Sequence, residues 1–294
     1  MTVFDDIARR IAHIAEKQIF FVCGSMKSGT TWMQMLLDAH PAISCGGEGH
    51  FVDRLAPAVQ AAFNQYNQHI EWKNGQKIGG LEGFPRLGEA DLAFSIRTAM
   101  LLLFAQQAGA RDVAAIGEKT PDNILGLPFL DLVFPTARFV ILVRDGRDCA
   151  VSGWFHNQRL SAQWLNENFP TLEAYAAVTA SGWAKEQAAA VAFAKPRPER
   201  CLFLRYEDLL ADADIHLGRA FAFLGVAHDH ATLAQARAHA DFARVTGGRA
   251  PGEEDRQSFF RKGEAGDWRN HFSADADTAF RREAGAWLDH FGYT

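Results

Sequence analysis

The sequence predicts an α/β fold: a single domain over residues 1–294 with a mostly parallel central sheet flanked by helices. Its 294 residues, 48% of them hydrophobic, suffice for one sizeable core, and we find no linker or fixed repeat. Short apolar runs typical of buried parallel strands lie at 18–24 (QIFFVCG), 113–117 (VAAIG), 137–143 (ARFVILV) and 201–205 (CLFLR). Helical periodicity alternates with them at 5–16, 52–66, 89–108, from about 145 onward, and at about 214–225.

Composition restricts the classes of partner. A formal net charge of -5 argues against a nucleic-acid-binding protein, which usually needs a basic field. The four cysteines contain no C-x-x-C pair, which is typical of reduced thiols, so we expect a cytoplasmic protein. The charged N-terminus does not resemble a signal peptide, and no apolar run is long enough to predict a membrane span.

A phosphate-binding turn follows the first predicted strand, in the segment GSMKSGTTW at 24–32. Free backbone N–H groups and the dipole at a helix N-terminus attract anions, and Lys27 adds a positive charge. The lysine comes before the second glycine rather than directly after it, so the nucleotide-triphosphate loop G-x-x-x-x-G-K-[ST] is not matched. A Ser/Thr-capped helix start is the simpler alternative. The lysine, the two threonines and the preceding strand together favour an anion site.

Two further segments offer cations for phosphate. Arg144 follows the strongest predicted strand, and Ser152 lies on the next helix, so together they can grip one phosphate. Arg147 is equally consistent with structural pairing to a carboxylate. Near the C-terminus, RKGEAGDW at 261–268 combines two cations with a glycine that permits a close approach, although a solvated turn would also fit.

These motifs resemble, in order, the nucleotide-binding motifs of the sulfotransferase superfamily, whose α/β fold is related to that of P-loop kinases. The resemblance implies 3′-phosphoadenosine 5′-phosphosulfate as donor, adenosine 3′,5′-bisphosphate as product, and no metal. It implies a 5′-phosphosulfate site of Lys27, Ser28, Gly29, Thr30 and Thr31. Around the adenine it implies Trp32, Tyr206 (in RYEDL) and Phe242, although a core role for Phe242 stays open. At the 3′-phosphate it implies Arg144, Ser152, Arg261, Lys262 and Gly263, with 246–255 as a lid.

The general base is expected to be Glu48. Phenol- and steroid-sulfating members of the superfamily carry a histidine in a K-T-H segment, whereas this chain has EKTPD at 118–122. LDAHPAISCGGE at 37–48 resembles instead the segment that carries the catalytic glutamate of protein-tyrosine sulfotransferases. A carboxylate acts as a base near pH 7 if desolvation raises its pKa. Glu118 and His50 remain alternative bases. Lys119 is expected to be a second cation at the sulfate, unless it pairs with Glu118 or Asp122.

We therefore expect transfer of a sulfuryl group to a hydroxyl or amine acceptor. The alternatives are an ATP-dependent small-molecule kinase and a non-catalytic nucleotide-binding homologue. A small molecule, sugar or peptide could be the acceptor, and residues 50–112 and 155–185 are expected to shape its pocket. A homodimer is compatible with the sequence.

Overall fold

The computed structural model describes residues 2–76 and 82–294. Within these residues the strands are β1 Gln18–Gly24, β2 Ile43–Gly46, β3 Ala115–Lys119, β4 Arg138–Val143 and β5 Cys201–Arg205. The helices are α1 Val3–Ala15, α2 Thr30–Asp38, α3 Ala56–Gly75, α4 Glu89–Ala108, α5 Asn123–Val133, α6 Gly146–Asn168, α7 Leu172–Ala194, α8 Tyr206–Ala211, α9 Ala213–Leu224, α10 His230–His239, α11 Phe242–Thr246 and α12 Ala274–His290. A π-helical turn, Phe51–Leu55, precedes α3, and a 3-10 turn, Asp267–Asn270, precedes α12.

All five strands are parallel and lie in the order β2-β3-β1-β4-β5. The predicted α/β class with a mostly parallel sheet is therefore confirmed. The register sets Val22 beside Lys119 and Val143 beside Arg205. Parallel strands end at the same edge of the sheet, so the segments that follow β1, β2, β3, β4 and β5 all meet there.

Both faces of the sheet are covered, which explains the continuous apolar runs in the sequence. Phe21 and Cys23 of β1 pack in a core with side chains of α4, α5 and α7. Their neighbours Phe20 and Val22 point to the other face, into a core with α2, α9 and α10. Alternate residues of one strand thus enter different cores, and both kinds must be apolar.

Four elements differ from the sequence prediction. Strand β3 begins and ends two residues later than predicted. The buried strand continues through Glu118 and Lys119, whose polar side chains interrupt the apolar pattern. Strand β2 was not predicted, since four residues in a Gly-rich segment give almost no periodicity. The segment 246–255, expected to be a lid, starts with the last residue of α11 and lies in an irregular stretch that runs from 247 to 266. The helix predicted at 52–66 begins at Ala56 and runs on to Gly75.

No helix in the described ranges is both long and apolar enough to cross a bilayer. The four cysteines are unpaired, and Cys23, Cys45 and Cys149 are buried. Burial raises the pKa of the Cys23 thiol well above its ordinary value. These cysteines therefore act as small apolar core residues rather than as reactive groups.

Candidate active site

A cavity of about 450 Å³ opens at the carboxyl edge of the sheet. It is lined by segments that follow each of the five strands, together with the irregular segment 247–266. Most residues predicted for the site line it: Lys27, Gly29, Thr30, Thr31, Trp32, Glu48, Arg144, Ser152, Tyr206, Phe242, Arg261, Lys262 and Gly263. Ser28 and Lys119 are buried beside these residues and are not part of its lining.

The turn between β1 and α2 presents backbone N–H groups to this cavity. Gly29 is the N-cap residue of α2 at φ 95°, and no side chain caps this helix within the described residues. A Cβ atom at Gly29 would lie 2.5 Å from the Tyr206 ring, so a side chain here would be strained and would also clash. The first turn of α2 contains no acidic residue. Its unpaired N–H groups are therefore free to bind an anion.

The Lys27 side chain, in the same turn, carries a positive charge that its surroundings destabilise. Burial, followed by repulsion from Arg144 and Arg159, lowers the pKa of Lys27 to about 8. The Phe259 ring lies 4.5 Å from its Nζ atom. Among the described residues no carboxylate lies within ion-pair distance of Lys27. An anion in the cavity would therefore stabilise this ammonium group.

Arg144 forms hydrogen bonds with two of the segments that line the cavity. Its Nη1 donates to the Lys27 carbonyl (3.1 Å) and its Nη2 to the Glu264 carbonyl (2.9 Å). The guanidinium lies over the Tyr206 ring at 4.4 Å. Arg144 Nη2 also lies 3.8 Å from Asp148 Oδ2, whereas the buried side chain of Arg147 pairs more closely, with Asp145 at 2.7 Å and Asp277 at 2.9 Å. Of the two roles open for Arg147, the structure favours structural pairing.

The cations of the C-terminal motif are paired rather than bare. Arg261 and Lys262 contact Asp267 at 2.5 and 2.7 Å, and together they hold the pKa of that carboxyl well below its usual range. Gly263 has φ 66°, and a Cβ atom there would lie 2.5 Å from the Phe242 ring. Glycine is therefore required for this loop to approach the cavity closely. The sequence interpretation overlooked Asp267, although it follows Lys262 by only five residues.

Three aromatic rings line one part of the cavity. Trp32 and Tyr206 pack edge to face with ring centres 5.8 Å apart, and Trp32 Nε1 donates to the Ala240 carbonyl at 3.1 Å. Phe242 is only partly buried and lines the cavity, so the structure does not support the core role left open for it. A base placed here would meet aromatic faces and edges, which suit stacking.

Glu48 and Lys119 form an ion pair at the opposite part of the cavity. Lys119 Nζ donates to Glu48 Oε1 at 2.6 Å, and His50 Nε2 lies 3.6 Å from Glu48 Oε2. The partner of Lys119 is thus Glu48, rather than Glu118 or Asp122. The expectation that desolvation prepares Glu48 is wrong, because its side chain is 42% exposed. Lys119 instead fixes the position of the carboxylate.

Glu118 is buried and serves the structure. It accepts hydrogen bonds from Gly49 N (3.1 Å), Thr120 Oγ1 (2.7 Å) and Asn123 Nδ2 (2.5 Å), and burial raises its pKa. It does not line the cavity. The bond to Gly49 anchors the backbone next to Glu48. Glu118 therefore positions the loop that carries Glu48, and the structure does not favour it as the base.

His156 and Phe259 were missed by the sequence interpretation and line the cavity. His156 lies four residues after Ser152 on α6, so helical spacing from Ser152 could have revealed it. Phe259 lies two residues before the RKG motif and packs edge to face with His156, with ring centres 5.8 Å apart. Burial, then the charges of Lys27 and Arg159, lowers the pKa of His156 to about 4.

The residues present fit an anionic ligand. Ser28 Oγ, Arg144 Nε and Arg261 Nε are buried, with no hydrogen-bond partner found for them in 2–76 and 82–294. Buried polar atoms in native proteins are usually paired, so unpaired donors around one cavity indicate a missing acceptor. Over the same ranges, no group of three or more His, Cys, Asp or Glu side chains is arranged to hold a metal.

Two solved structures of similar fold are sulfotransferases. Mouse sulfotransferase SULT7A1 complexed with PAP is 19% identical, with a TM-score of 0.54 over 94% of this chain and 87% of the other. Sulfotransferase STF9 from Mycobacterium avium is 14% identical, with a TM-score of 0.55 over 98% of this chain and 84% of the other. These similarities establish the fold.

Sequence relatives give the same family. Protein-tyrosine sulfotransferase 2 of Gallus gallus is 30% identical over 136 residues, 45% of this chain and 32% of the relative. Protein-tyrosine sulfotransferase 1 of Homo sapiens is 28% identical over 142 residues, 47% of this chain and 34% of the relative. This chain thus spans about a third of the curated relatives' length. A protein-family model with the description "Sulfotransferase family" matches residues 19–230 of this chain. Because this match covers more than half of the chain, the chain belongs to the sulfotransferase family.

Proposed function

We propose that the chain transfers a sulfuryl group from 3′-phosphoadenosine 5′-phosphosulfate to a hydroxyl or amine acceptor. One observation carries the proposal. In a chain of net charge -5, a single cavity gathers Lys27, Arg144, Arg261 and the uncapped N-terminus of α2, and Glu48 reaches the same cavity. Such a local concentration of donors suits a doubly phosphorylated adenosine despite the acidic balance of the whole chain.

The donor-binding roles that we propose are those that the family resemblance implies. The N-terminus of α2, with Ser28, Thr30 and Thr31, would hold the 5′-phosphosulfate. Arg144 and Ser152, with Arg261, Lys262 and Gly263 of the C-terminal loop, would hold the 3′-phosphate. Trp32, Tyr206 and Phe242 would enclose the adenine. The unpaired buried atoms of Ser28, Arg144 and Arg261 support this assignment, because a bound phosphate would supply their missing acceptors.

When bound, the donor supplies a sulfuryl group attached to a phosphate oxygen that can leave with both electrons of the broken bond. Glu48 would take the proton of the acceptor hydroxyl as the acceptor oxygen bonds to sulfur. Lys119, which contacts Glu48 at 2.6 Å, would hold the carboxylate in position. Lys27 would stabilise the negative charge that grows on the departing phosphate oxygen. The proton thus ends on Glu48 and the electron pair on adenosine 3′,5′-bisphosphate.

For the acceptor we favour the phenolic hydroxyl of a tyrosine in a peptide. The support is the similarity of this chain to proteins named protein-tyrosine sulfotransferases, over 136 and 142 residues. A sugar or a small phenol is the alternative, and both carry the O–H group that Glu48 requires. Residues that line the cavity beside Glu48 include Pro121, Asp122 and His156.

Ligand-induced stabilisation tests the donor. A ligand that binds only the folded state raises the unfolding temperature in proportion to the logarithm of its excess over Kd. We expect adenosine 3′,5′-bisphosphate to raise it by several degrees more than ADP with Mg²⁺. A larger shift with ADP and Mg²⁺ would favour an ATP-dependent kinase and overturn the proposal.

Acceptor identity needs a separate screen. The protein is incubated with the donor and three sets of acceptors: tyrosine peptides, oligosaccharides and small phenols or amines. Mass spectrometry detects the gain of one sulfate. We expect the peptide set to react. Reaction of another set alone would contradict the tyrosine assignment, and reaction of none, with the nucleotide bound, would indicate a non-catalytic homologue.

We also propose that residues 1–294 form a single domain and that the protein works in the cytoplasm. Two cores that share the strands of one sheet support the first proposal. Four unpaired cysteines, three of them buried, are consistent with a reducing compartment. Size-exclusion chromatography with light scattering would show whether the protein forms the homodimer that the sequence allows.

A further inference from the structure

The side chain of His156, on α6, is part of the cavity lining. It shares the lining of the main cavity with Lys27 and Glu48. A smaller cleft beside it is lined by His156, Lys27, Ser152 and Phe259, among others. The imidazole thus lies near the groups assigned to the transferred sulfuryl group, yet the proposed chemistry gives it no role.

Arg159 determines which ring nitrogen of His156 carries the hydrogen. The Nη2 atom of Arg159 lies 3.4 Å from His156 Nδ1. A guanidinium can only donate a hydrogen bond, so Nδ1 must accept it and the hydrogen of the neutral ring resides on Nε2. No protein acceptor for Nε2 is found in the described part of the chain. The ring therefore has one free donor.

The surroundings of His156 keep it neutral. Cations face it from three directions: Arg159 on α6, Lys27 in the turn after β1, and Arg256 and Arg261 in the C-terminal loop. The carboxylate of Glu48, after β2, opposes these cations. Burial and the neighbouring cations disfavour a positive charge on the imidazole, and its pKa of about 4 leaves the ring uncharged at neutral pH. A ring that protonates so reluctantly is a poor base but a competent hydrogen-bond donor.

We propose that His156 is a catalytic residue that donates its Nε2–H hydrogen bond to a non-bridging oxygen of the sulfuryl group, beside Lys27. This inference rests on the proposed function. It adds a neutral donor to the cations of the site, with Arg159 as the positioning residue that fixes the tautomer. The donor acts on the sulfuryl group itself, so it distinguishes the sulfated nucleotide from the product, adenosine 3′,5′-bisphosphate.

Calorimetric titration of the full chain with each nucleotide tests this, without any acceptor. We expect His156→Ala and His156→Phe to weaken binding of 3′-phosphoadenosine 5′-phosphosulfate about tenfold, the effect of losing one hydrogen bond to a charged acceptor. Binding of adenosine 3′,5′-bisphosphate should change less than about twofold. His156→Gln retains a donor and should restore the difference between the nucleotides. His216→Ala, at a half-buried position of α9 outside the cavity lining, is the matched control and should change neither affinity.

The outcomes separate the two proposals. Equal weakening of both nucleotides, or no rescue by His156→Gln, would overturn the role of His156 and leave the donor assignment standing. Failure of the wild-type protein to bind adenosine 3′,5′-bisphosphate would overturn both. His156→Phe keeps a ring of similar size, so the test survives if His156→Ala does not fold.

Discussion

Lys27→Met should make the ligand-free protein more stable while weakening its binding of nucleotide. The structure lowers the pKa of Lys27 from 10.5 to about 8. The unfolded chain therefore binds this proton more tightly than the folded one, and a charged Lys27 costs about 3 kcal/mol of stability at pH 7. Methionine fills similar space without the charge, so we expect the unfolding free energy to rise by about 1–3 kcal/mol.

The sign of the pH dependence follows from the same linkage. Between pH 8 and 10.5 the unfolded state holds more of this proton, so the Lys27 contribution to stability rises with pH. The advantage of Lys27→Met in urea unfolding should be largest at pH 7 and disappear near pH 10.5. Affinity for adenosine 3′,5′-bisphosphate should meanwhile fall tenfold or more, for the loss of about 1.5–3 kcal/mol from a hydrogen bond between charged groups.

Lys185→Met, at an exposed position of α7, is the matched control and should alter neither stability nor affinity. A Lys27→Met protein that is less stable than wild type at pH 7 would refute the desolvation argument. Unchanged affinity for adenosine 3′,5′-bisphosphate would refute the placement of the 5′-phosphate beside Lys27. The two measurements are independent, because one uses the ligand-free protein and the other does not.

Three further predictions separate catalysis, structure and binding. Glu48→Gln removes the proposed base, so sulfuryl transfer should fall by about 100-fold or more, with nucleotide affinity by calorimetry unchanged; retained transfer would eliminate Glu48 as base. Glu118→Leu leaves the buried donors of Thr120 and Asn123 unpaired and should lower the unfolding free energy in urea by about 2–5 kcal/mol; a stable variant would contradict its structural role. Arg147→Met should destabilise the protein by about 3–5 kcal/mol, whereas Arg144→Met should chiefly weaken nucleotide binding, about tenfold or more. The reverse pattern in melting and calorimetry would exchange their roles.

Much of the fold and of the nucleotide-binding half of the cavity could be predicted from local sequence. Apolar runs identified β1, β4 and β5, and the motif that follows each of these strands had to reach the carboxyl edge because the strands are parallel. The errors of the prediction also have local causes. Strand β2 is too short to show a period, and Glu118 and Lys119 concealed the end of β3.

The sequence could not predict which distant residues form ion pairs, because a charged motif does not reveal its partner. Arg144 and Arg147 belong to one hexapeptide, yet Arg147 is paired with Asp277, 130 residues away, while Arg144 lines the cavity. The choice depends on how α12 packs beside α6. Glu48 and Lys119, 71 residues apart, likewise meet only because β2 and β3 are neighbours in the sheet.

The sequence by itself determined the α/β class, the family resemblance and the set of cations at one sheet edge, because each depends on a strand and on the few residues that follow it. Only the tertiary structure decided which charges are free. It paired Arg261 and Lys262 with Asp267, left Lys27 without a carboxylate partner in the described chain, and brought His156 to the cavity. The reason is that charge compensation and desolvation depend on distances in space, which packing of the helices against the sheet sets.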